Sequence, residues 1–149
     1  MDYHTFEFMK LAIEEAEKAA LRGSVPVGAI ISLRGRVISS AGNEVLKNKD
    51  PTAHAEMVAI RKACAQLGCS ILENCDIYVT LEPCSMCAQA ISLARISRLY
   101  FGAYDDKYGG IIHGCRVFEH SLHRPEVIGG ISETPCAKIL QNFFKNKRN

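Results

Sequence analysis

The sequence predicts an α/β protein, a three-layer α/β/α arrangement with helices on both faces of a central mixed five-stranded sheet. Segments with an apolar period of two alternate with segments of helical period along the chain. A strand–helix–strand unit over residues 75–103 favours a right-handed parallel crossover. A short glycine-bearing connection near residue 35 favours an antiparallel hairpin, so strands of both orientations are expected.

The first part of the chain predicts a helix followed by the hairpin. Apolar residues recur at steps of three and four from Phe6 to Ala20, which is typical of an amphipathic helix, and Gly23 ends it. The runs VPVGAIIS (25–32) and RVISSA (36–41) predict two strands joined at residues 33–35. Residues 42–52 are polar and rich in turn-forming residues, so a loop is expected there.

The rest of the chain alternates helices and strands. DPTAHAEMVAIRKACAQLG (50–68) predicts a helix with Asp50 or Thr52 as its N-cap and Gly68 at its end. Strands are predicted at CDIYVTL (75–81), at RLYFGA (98–103) and, at the edge, in EVIGGI (126–131). Between the first two of these lies a helix over residues 84–94, entered through Pro83, and a final helix runs from Thr134 through Phe144.

Length and composition indicate one domain over residues 1–149 that can fold without disulfides. The first residues lack the pattern of a signal peptide, and no run of about eighteen apolar residues predicts a membrane span. We therefore expect a cytoplasmic protein whose seven cysteines are mostly free thiols. The net charge of +2 permits an anionic partner without requiring one.

Cys84 and Cys87 lie three residues apart at the start of a predicted helix, so both sulfurs can bind one ion. A redox pair or half of a structural metal site would show the same spacing. His54, at the mouth of the preceding helix, is the third ligand we expect. One His and two Cys leave a coordination position for water, as in catalytic zinc sites. We therefore expect one zinc ion per chain.

Two glutamates compete for the role of proton carrier. Zinc lowers the pKa of bound water to about 7, but the substrate must also be protonated before its leaving group departs. Glu56 follows the ligand His54 by two residues and is the residue we expect to move these protons. Glu82, directly before Pro83, is expected instead to bond backbone at the helix entrance.

H-A-E at 54–56 combined with P-C-x-x-C at 83–87 is the signature of the zinc-dependent nucleobase deaminases. The stretches VPVGAII, GNEVLKNKDPTAHAE, IYVTLEPCSMCAQAI and FGAYDDKYGG, with the final helix, resemble the bacterial tRNA-specific adenosine deaminases over nearly the whole chain. The resemblance implies a cytidine-deaminase-like fold and a homodimer. It also implies hydrolysis of adenosine to inosine at the first anticodon position of tRNA, where a zinc-bound hydroxide attacks C6 of adenine with Glu56 as proton shuttle.

The resemblance further implies a set of substrate-binding residues. Asn43 corresponds to a residue that helps hold the flipped base, and Val27 with Gly28 to a wall of the pocket. Residues 105–107 correspond to a loop that meets anticodon nucleotides, and Phe144 lies on a helix that packs against the same RNA. The implied contacts are therefore Asn43, Val27, Asp105, Asp106, Lys107 and Phe144, while Tyr104 and Tyr108 are further candidates for stacking.

The other cysteines and histidines have simpler interpretations. Five cysteines are expected to be small buried side chains, and three histidines to lie on a surface loop; they are Cys64, Cys69, Cys75, Cys115 and Cys136, and His113, His120 and His123. Two other functions stay open at this point. One is a deaminase of free cytosine, guanine or a nucleoside, and the other is a zinc-stabilised RNA-binding module without catalysis.

Overall fold

The computed structural model describes residues 4–147, which form one five-stranded sheet with helices on both faces. In chain order the elements are α1 (Thr5–Leu21), β1 (Gly28–Leu33), β2 (Arg36–Gly42), α2 (Val45–Asn48), α3 (Ala55–Leu67), β3 (Cys75–Leu81), α4 (Ser85–Leu93), β4 (Arg98–Ala103), β5 (Glu126–Ile128) and α5 (Glu133–Lys147). A single 3₁₀ turn at Val117–Glu119 precedes β5.

The strand order across the sheet is β2-β1-β3-β4-β5. β1 runs antiparallel to both β2 and β3, whereas β3–β4 and β4–β5 are parallel pairs. The predicted hairpin, the parallel crossover through α4 and the mixed sheet are therefore confirmed. In this topology the C-terminal ends of β2, β3 and β4 lie beside the N-terminal end of β1. We call this side of the sheet its site end.

The two faces of the sheet bury separate hydrophobic cores because successive strand residues point to opposite sides. Ile77 and Val79 on β3 pack with residues of α3 and α4. Tyr78, between them, packs on the other face with α1, and its ring stacks on that of Tyr100 with centroids 4.6 Å apart. β3 therefore serves both cores, and the three-layer arrangement is confirmed.

Gly28 packs directly against α1. A Cβ atom at this position would lie 1.9 Å from the carbonyl oxygen of Ala12 and 2.7 Å from the amide nitrogen of Ala16. Only glycine allows so close an approach of strand and helix. The side of Gly28 on which other residues carry a Cβ atom therefore lies against α1.

Some local predictions are wrong. The loop after β2 contains the short helix α2, and β1 begins at Gly28, three residues after Val25. The N-cap of α3 is His54; Asp50 instead accepts hydrogen bonds from the Thr52 backbone at 2.9 Å and hydroxyl at 2.7 Å, which makes a turn before the helix. A four-residue helix has no apolar periodicity to reveal it.

All seven cysteines are free thiols, as expected. Cys75 and Cys136 are buried as predicted, and burial raises the pKa of each thiol to about 11. The prediction of burial is wrong for the other three, because Cys64 is half-buried and Cys69 and Cys115 are exposed. Among residues 4–147, no helix has the length and hydropathy needed to cross a lipid bilayer.

Candidate active site

Two helices begin at the site end of the sheet, each directly after a predicted metal ligand. His54 is the N-cap of α3 and Cys84 the N-cap of α4; both have extended backbone, with ψ of 156° and 171°. Neither side chain caps its own helix. Cys87 lies in the first turn of α4 and is fully buried. The two side chains at the helix starts are thereby available for another partner.

The three predicted ligands converge on one point. His54 Nδ1 lies 3.6 Å from Cys84 Sγ and 3.5 Å from Cys87 Sγ, and the three ligand atoms lie within 4.8 Å of one another. A tetrahedral zinc ion with bonds of about 2.3 Å to sulfur and about 2.05 Å to nitrogen holds such atoms about 3.6 Å apart. The donor set and its spacing therefore fit zinc.

The ligand group matches a catalytic type of site. Within the part of the chain that the structure describes, no fourth His, Cys, Asp or Glu joins the three residues. Structural zinc sites are closed by four protein ligands, whereas catalytic sites keep one position for water or substrate. The three-ligand group therefore favours a catalytic site over half of a structural site.

The three ligands also influence one another's protonation. A hydrogen bond from the Cys87 thiol lowers the pKa of Cys84 to about 4, although partial burial acts in the opposite direction. The same hydrogen bond, together with burial, raises the pKa of Cys87 far above its usual range. The hydrogen bond with Cys84 raises the pKa of His54. Metal binding requires both thiols to be deprotonated, so a cation is needed to hold this pair as two thiolates.

Glu56 lies in the first turn of α3 with 4% of its surface exposed. Burial raises the pKa of its carboxyl group to about 7, and the nearby Cys84 thiol acts in the same direction. A carboxyl group that titrates near neutral pH can both accept and return a proton. The geometry and the acidity of Glu56 therefore suit a proton carrier beside the ligands.

A cavity of about 690 Å³ lies over the ligands at the site end of the sheet. It is lined by His54, Glu56 and Cys84 and by every substrate-binding residue that the resemblance implies, Asn43, Val27, Asp105, Asp106, Lys107 and Phe144. The same cavity reaches Tyr104 and Tyr108, the two tyrosines considered for stacking. Residues as far apart in sequence as Val27 and Phe144 thus surround one cavity of ligand-binding size.

Several of the implied binding residues also shape the backbone around them. Asn43 Oδ1 accepts a hydrogen bond from the Val45 backbone at 2.9 Å, which starts α2. Asp105 Oδ1 accepts from the backbone of Lys107 at 3.1 Å and of Tyr108 at 2.9 Å. These bonds are those of turns stabilised by Asn and Asp side chains.

Besides Glu82, four residues line the cavity without having been predicted to do so: Val25, Ala55, Leu81 and Leu140. They are apolar, and an apolar residue in a strand or helix gives no sign that it faces a ligand instead of the core. Leu140 had one usable signal, because it lies four residues before Phe144 on α5 and therefore on the same helix face.

Glu82 differs most from expectation. Its carboxylate bonds backbone of residues 105–113, across the loop that follows β4, and not the entrance of α4. His113 lies on this loop with 35% of its side chain exposed, and its Nδ1 atom lies 2.9 Å from Glu82 Oε1, a contact that was not predicted. Burial alone would raise the pKa of Glu82, but the hydrogen bonds from His113 and the loop backbone hold it below its usual value.

Comparison with known proteins agrees with this geometry. The family model of the cytidine and deoxycytidylate deaminase zinc-binding region matches residues 3–103. The tRNA-specific adenosine deaminase of Agrobacterium fabrum is 50% identical over 143 residues, which cover 95% of this chain and 94% of that relative.

Two solved structures resemble this chain, and their names describe deaminases of different substrates. One, from a study of A-to-I editing by tRNA:A34 deaminases at the wobble position of transfer RNA, matches with a TM-score of 0.89 and 50% identity, covering 90% of this chain and 99% of that chain. The other, a guanine deaminase from Bacillus subtilis, matches with a TM-score of 0.65 and 40% identity, covering 70% of this chain and 66% of that chain.

Proposed function

The chain belongs to the cytidine and deoxycytidylate deaminase family, as one of its tRNA-specific adenosine deaminases, and we propose that it converts adenosine to inosine at the wobble position of tRNA. One observation carries this proposal: a His54–Cys84–Cys87 zinc site and Glu56 lie in a cavity lined by the residues of the adenosine-deaminase resemblance. The reaction is a hydrolysis, in which adenosine and water give inosine and ammonia.

His54, Cys84 and Cys87 hold the zinc ion, one per chain. Bound there, zinc acts as a Lewis acid that makes water nucleophilic near neutral pH. The three side chains come from the N-terminal ends of two helices that are packed against the same face of the sheet, so their relative positions are fixed by the core. The chain therefore presents a rigid set of ligands that would hold the ion.

Glu56 moves the protons in this proposal. Its carboxylate accepts a proton from the water whose oxygen bonds to C6 and passes that proton to N1 of adenine. The carboxylate then takes the proton of the C6 hydroxyl group and gives it to the exocyclic nitrogen, so that the C6–N bond breaks, ammonia leaves and the C6 carbonyl of inosine forms. A pKa of about 7 allows one group to act first as base and then as acid.

The base and its neighbours are held by the cavity wall. We assign Asn43 to hydrogen bonding with the base and Val27 to an apolar side of the pocket. Asp105, Asp106 and Lys107 meet the flanking nucleotides, where the two carboxylates can accept hydrogen bonds from ribose 2′-hydroxyl groups. Phe144 offers an aromatic face, and an unpaired loop base needs little energy to leave its stack.

We further propose that residues 1–149 act as one deaminase domain and that two copies form a homodimer in the cytoplasm. Leu93 at the end of α4 and Leu122 in the following loop are apolar side chains exposed at 68% and 104% of their reference areas, which suits a surface covered by a second copy. Sedimentation equilibrium at micromolar concentration measures this association, and a monomer there would contradict it.

An RNA stem-loop with adenosine at the first anticodon position tests the proposed function. We expect the purified zinc-loaded protein to form inosine from it, measured by nuclease digestion and mass spectrometry, and to leave a stem-loop with guanosine at that position unchanged. Free guanine, cytosine and adenosine are assayed in parallel.

The structural match to a guanine deaminase makes a free-base deaminase the second candidate. Turnover of free guanine without inosine in the stem-loop would reject our proposal in favour of that function. Binding of the stem-loop without turnover of any substrate would favour an RNA-binding module. Both outcomes are distinguishable from the expected one in the same assay.

A further inference from the structure

Glu82 is a buried carboxylate that the proposed reaction does not use. It follows β3 directly and precedes the zinc ligand Cys84 by two residues. Its side chain has no exposed surface. A carboxylate in such surroundings is stable only if hydrogen-bond donors replace the water it has lost. The identity of these donors therefore shows what Glu82 does.

All the donors come from residues 105–113, which we call the 105–113 loop. Glu82 Oε1 accepts a hydrogen bond from the Asp105 backbone at 3.1 Å and lies 2.9 Å from His113 Nδ1. Oε2 accepts from three consecutive backbone N–H groups, those of Ile111 at 3.2 Å, Ile112 at 2.9 Å and His113 at 3.0 Å. A carboxylate is an acceptor only, so His113 carries its proton on Nδ1.

Two glycines bring the 105–113 loop close enough for these bonds. A Cβ atom at Gly109 would lie 2.5 Å from the Glu82 carboxylate, and one at Gly110 would lie 2.6 Å from the Ser85 amide nitrogen. The Gly110 N–H also donates to the Pro83 carbonyl at 2.8 Å. The loop therefore packs directly on residues 82–85, the segment that begins α4.

The same loop forms one wall of the cavity. Its first half contributes residues 105–108 to the lining, and the Asp105 side chain folds this half through its bonds to Lys107 and Tyr108. At the other end, the His113 ring contacts the ring of Tyr104 edge-on, with centroids 6.3 Å apart. Glu82 thus joins the zinc-binding helix start to the wall that faces the substrate.

We propose that Glu82 is a positioning residue, assisted by His113, which holds the 105–113 loop in the conformation that receives RNA. This inference rests on the proposed function. It assigns Glu82 to substrate affinity and not to proton transfer, because both carboxylate oxygens are occupied by donors of the loop. A base would need an oxygen directed at the reacting water or at adenine.

The variant Glu82→Gln tests the proposal with little change of volume. Glutamine keeps one acceptor oxygen but presents an NH₂ group, so at least one backbone donor of the loop faces another donor. We expect faster hydrogen exchange at the amides of residues 105 and 111–113, and a KM for the stem-loop about tenfold or more above that of the wild type. We expect kcat to change less than about threefold and zinc content to stay at one per chain.

Asp76→Asn is the matched control, because it changes an acidic residue at the other end of the same strand, where Asp76 pairs with Arg98 at 3.4 Å. It should leave exchange in the 105–113 loop and both kinetic constants unchanged. A purely structural Glu82 would lower the melting temperature without moving KM or loop exchange. That result, or a loss of zinc from folded Glu82→Gln, would overturn the proposal.

Two histidine variants decide the question if Glu82→Gln fails to fold. His113→Leu removes the side-chain donor and should raise KM about threefold, with faster loop exchange. His113→Asn can place an amide N–H near the position of Nδ1 and should restore most of the wild-type KM. Equal KM values for wild type, His113→Leu and His113→Asn would contradict the proposal.

The proposed function and this inference can fail separately. If the wild-type protein does not form inosine in the stem-loop, the proposed function is wrong and so is the assignment of Glu82 to RNA affinity. Hydrogen exchange, measured without RNA, then still decides whether Glu82 holds the loop. Unchanged exchange in Glu82→Gln beside an active wild type overturns the inference alone.

Discussion

Glu56 and Glu82 lie at the same end of the sheet and are almost equally buried, with 4% and 2% of their surfaces exposed, yet their acidities change in opposite directions. Glu56 lies where few groups donate hydrogen bonds to it, and burial raises its pKa to about 7. Glu82 faces backbone donors and a histidine, which together lower its pKa despite burial.

The difference shows that burial alone does not decide the chemistry of a carboxyl group. A carboxyl group with few donors exchanges its proton near neutral pH, which suits catalysis. A carboxylate surrounded by donors stays charged and becomes an anchor for backbone. Sequence position does not distinguish the two, because each glutamate lies two residues from a zinc ligand.

The largest effect is expected from Glu56→Gln, which removes the proposed proton carrier but keeps the size of the side chain. We expect kcat for the stem-loop to fall by a factor of about 10²–10⁴, the usual contribution of general acid–base catalysis. Zinc content and RNA affinity should remain those of the wild type. Cys87→Ala serves as contrast, since it should lose zinc together with activity. An unchanged rate of inosine formation in Glu56→Gln would reject Glu56 as the carrier.

A smaller effect is expected on stability when Glu82 is replaced. Glu82→Gln should lower the free energy of unfolding at pH 7 by about 3 kcal/mol, because a buried charged acceptor of several hydrogen bonds is lost. The folded pKa of Glu82 lies below the ordinary 4.5, so the unfolded chain binds more protons in this range and the stabilisation is complete only above about pH 4.5.

The difference between wild type and Glu82→Gln should therefore be constant above that pH and shrink as the pH falls below it. Urea denaturation at a series of pH values measures this difference, and protonation of the zinc ligands affects both proteins alike. A difference that grew toward acid pH would mean that Glu82 is protonated in the folded protein, like Glu56.

The smallest effect is expected at the end of the sheet opposite the site. Arg98 and Asp76 form an ion pair there whose arginine side chain is 44% exposed. Arg98→Met should change the free energy of unfolding by at most about 1 kcal/mol, because exposed pairs contribute little, and should not change kcat or KM. A large loss of activity would contradict this expectation, because it would show that the charge of Arg98 at the opposite end of the sheet influences catalysis.

The sequence predicts well what local patterns determine. β3 and β4 have the predicted bounds, since their apolar runs are continuous and end at turn residues. The zinc ligands could be predicted because Cys84 and Cys87 lie three residues apart at the start of one helix, and because His54 is followed two residues later by Glu56. Their chemistry needs these residue types at short spacing, so a short motif contains the information.

The partners of Glu82 could not be predicted, because they are 23 to 31 residues away and are mostly backbone groups. Any residue except proline offers such a donor, so no residue type marks the contact. The contact of the His113 ring with Glu82 spans the same large distance in sequence. The N-cap of α3 was missed because His54 is a poor capping residue by propensity, and its place is explained by metal binding instead.

Because the 105–113 loop is attached to Glu82 mainly through backbone groups, its side chains can change during evolution or engineering while the attachment remains. Side chains at positions 106–108 can be exchanged without removing any donor to Glu82, as long as glycine is kept at 109 and 110 and proline is avoided at 105 and at 111–113. The positions that we assign to nucleotide contacts are thus free to vary while the backbone hydrogen bonds to Glu82 stay the same.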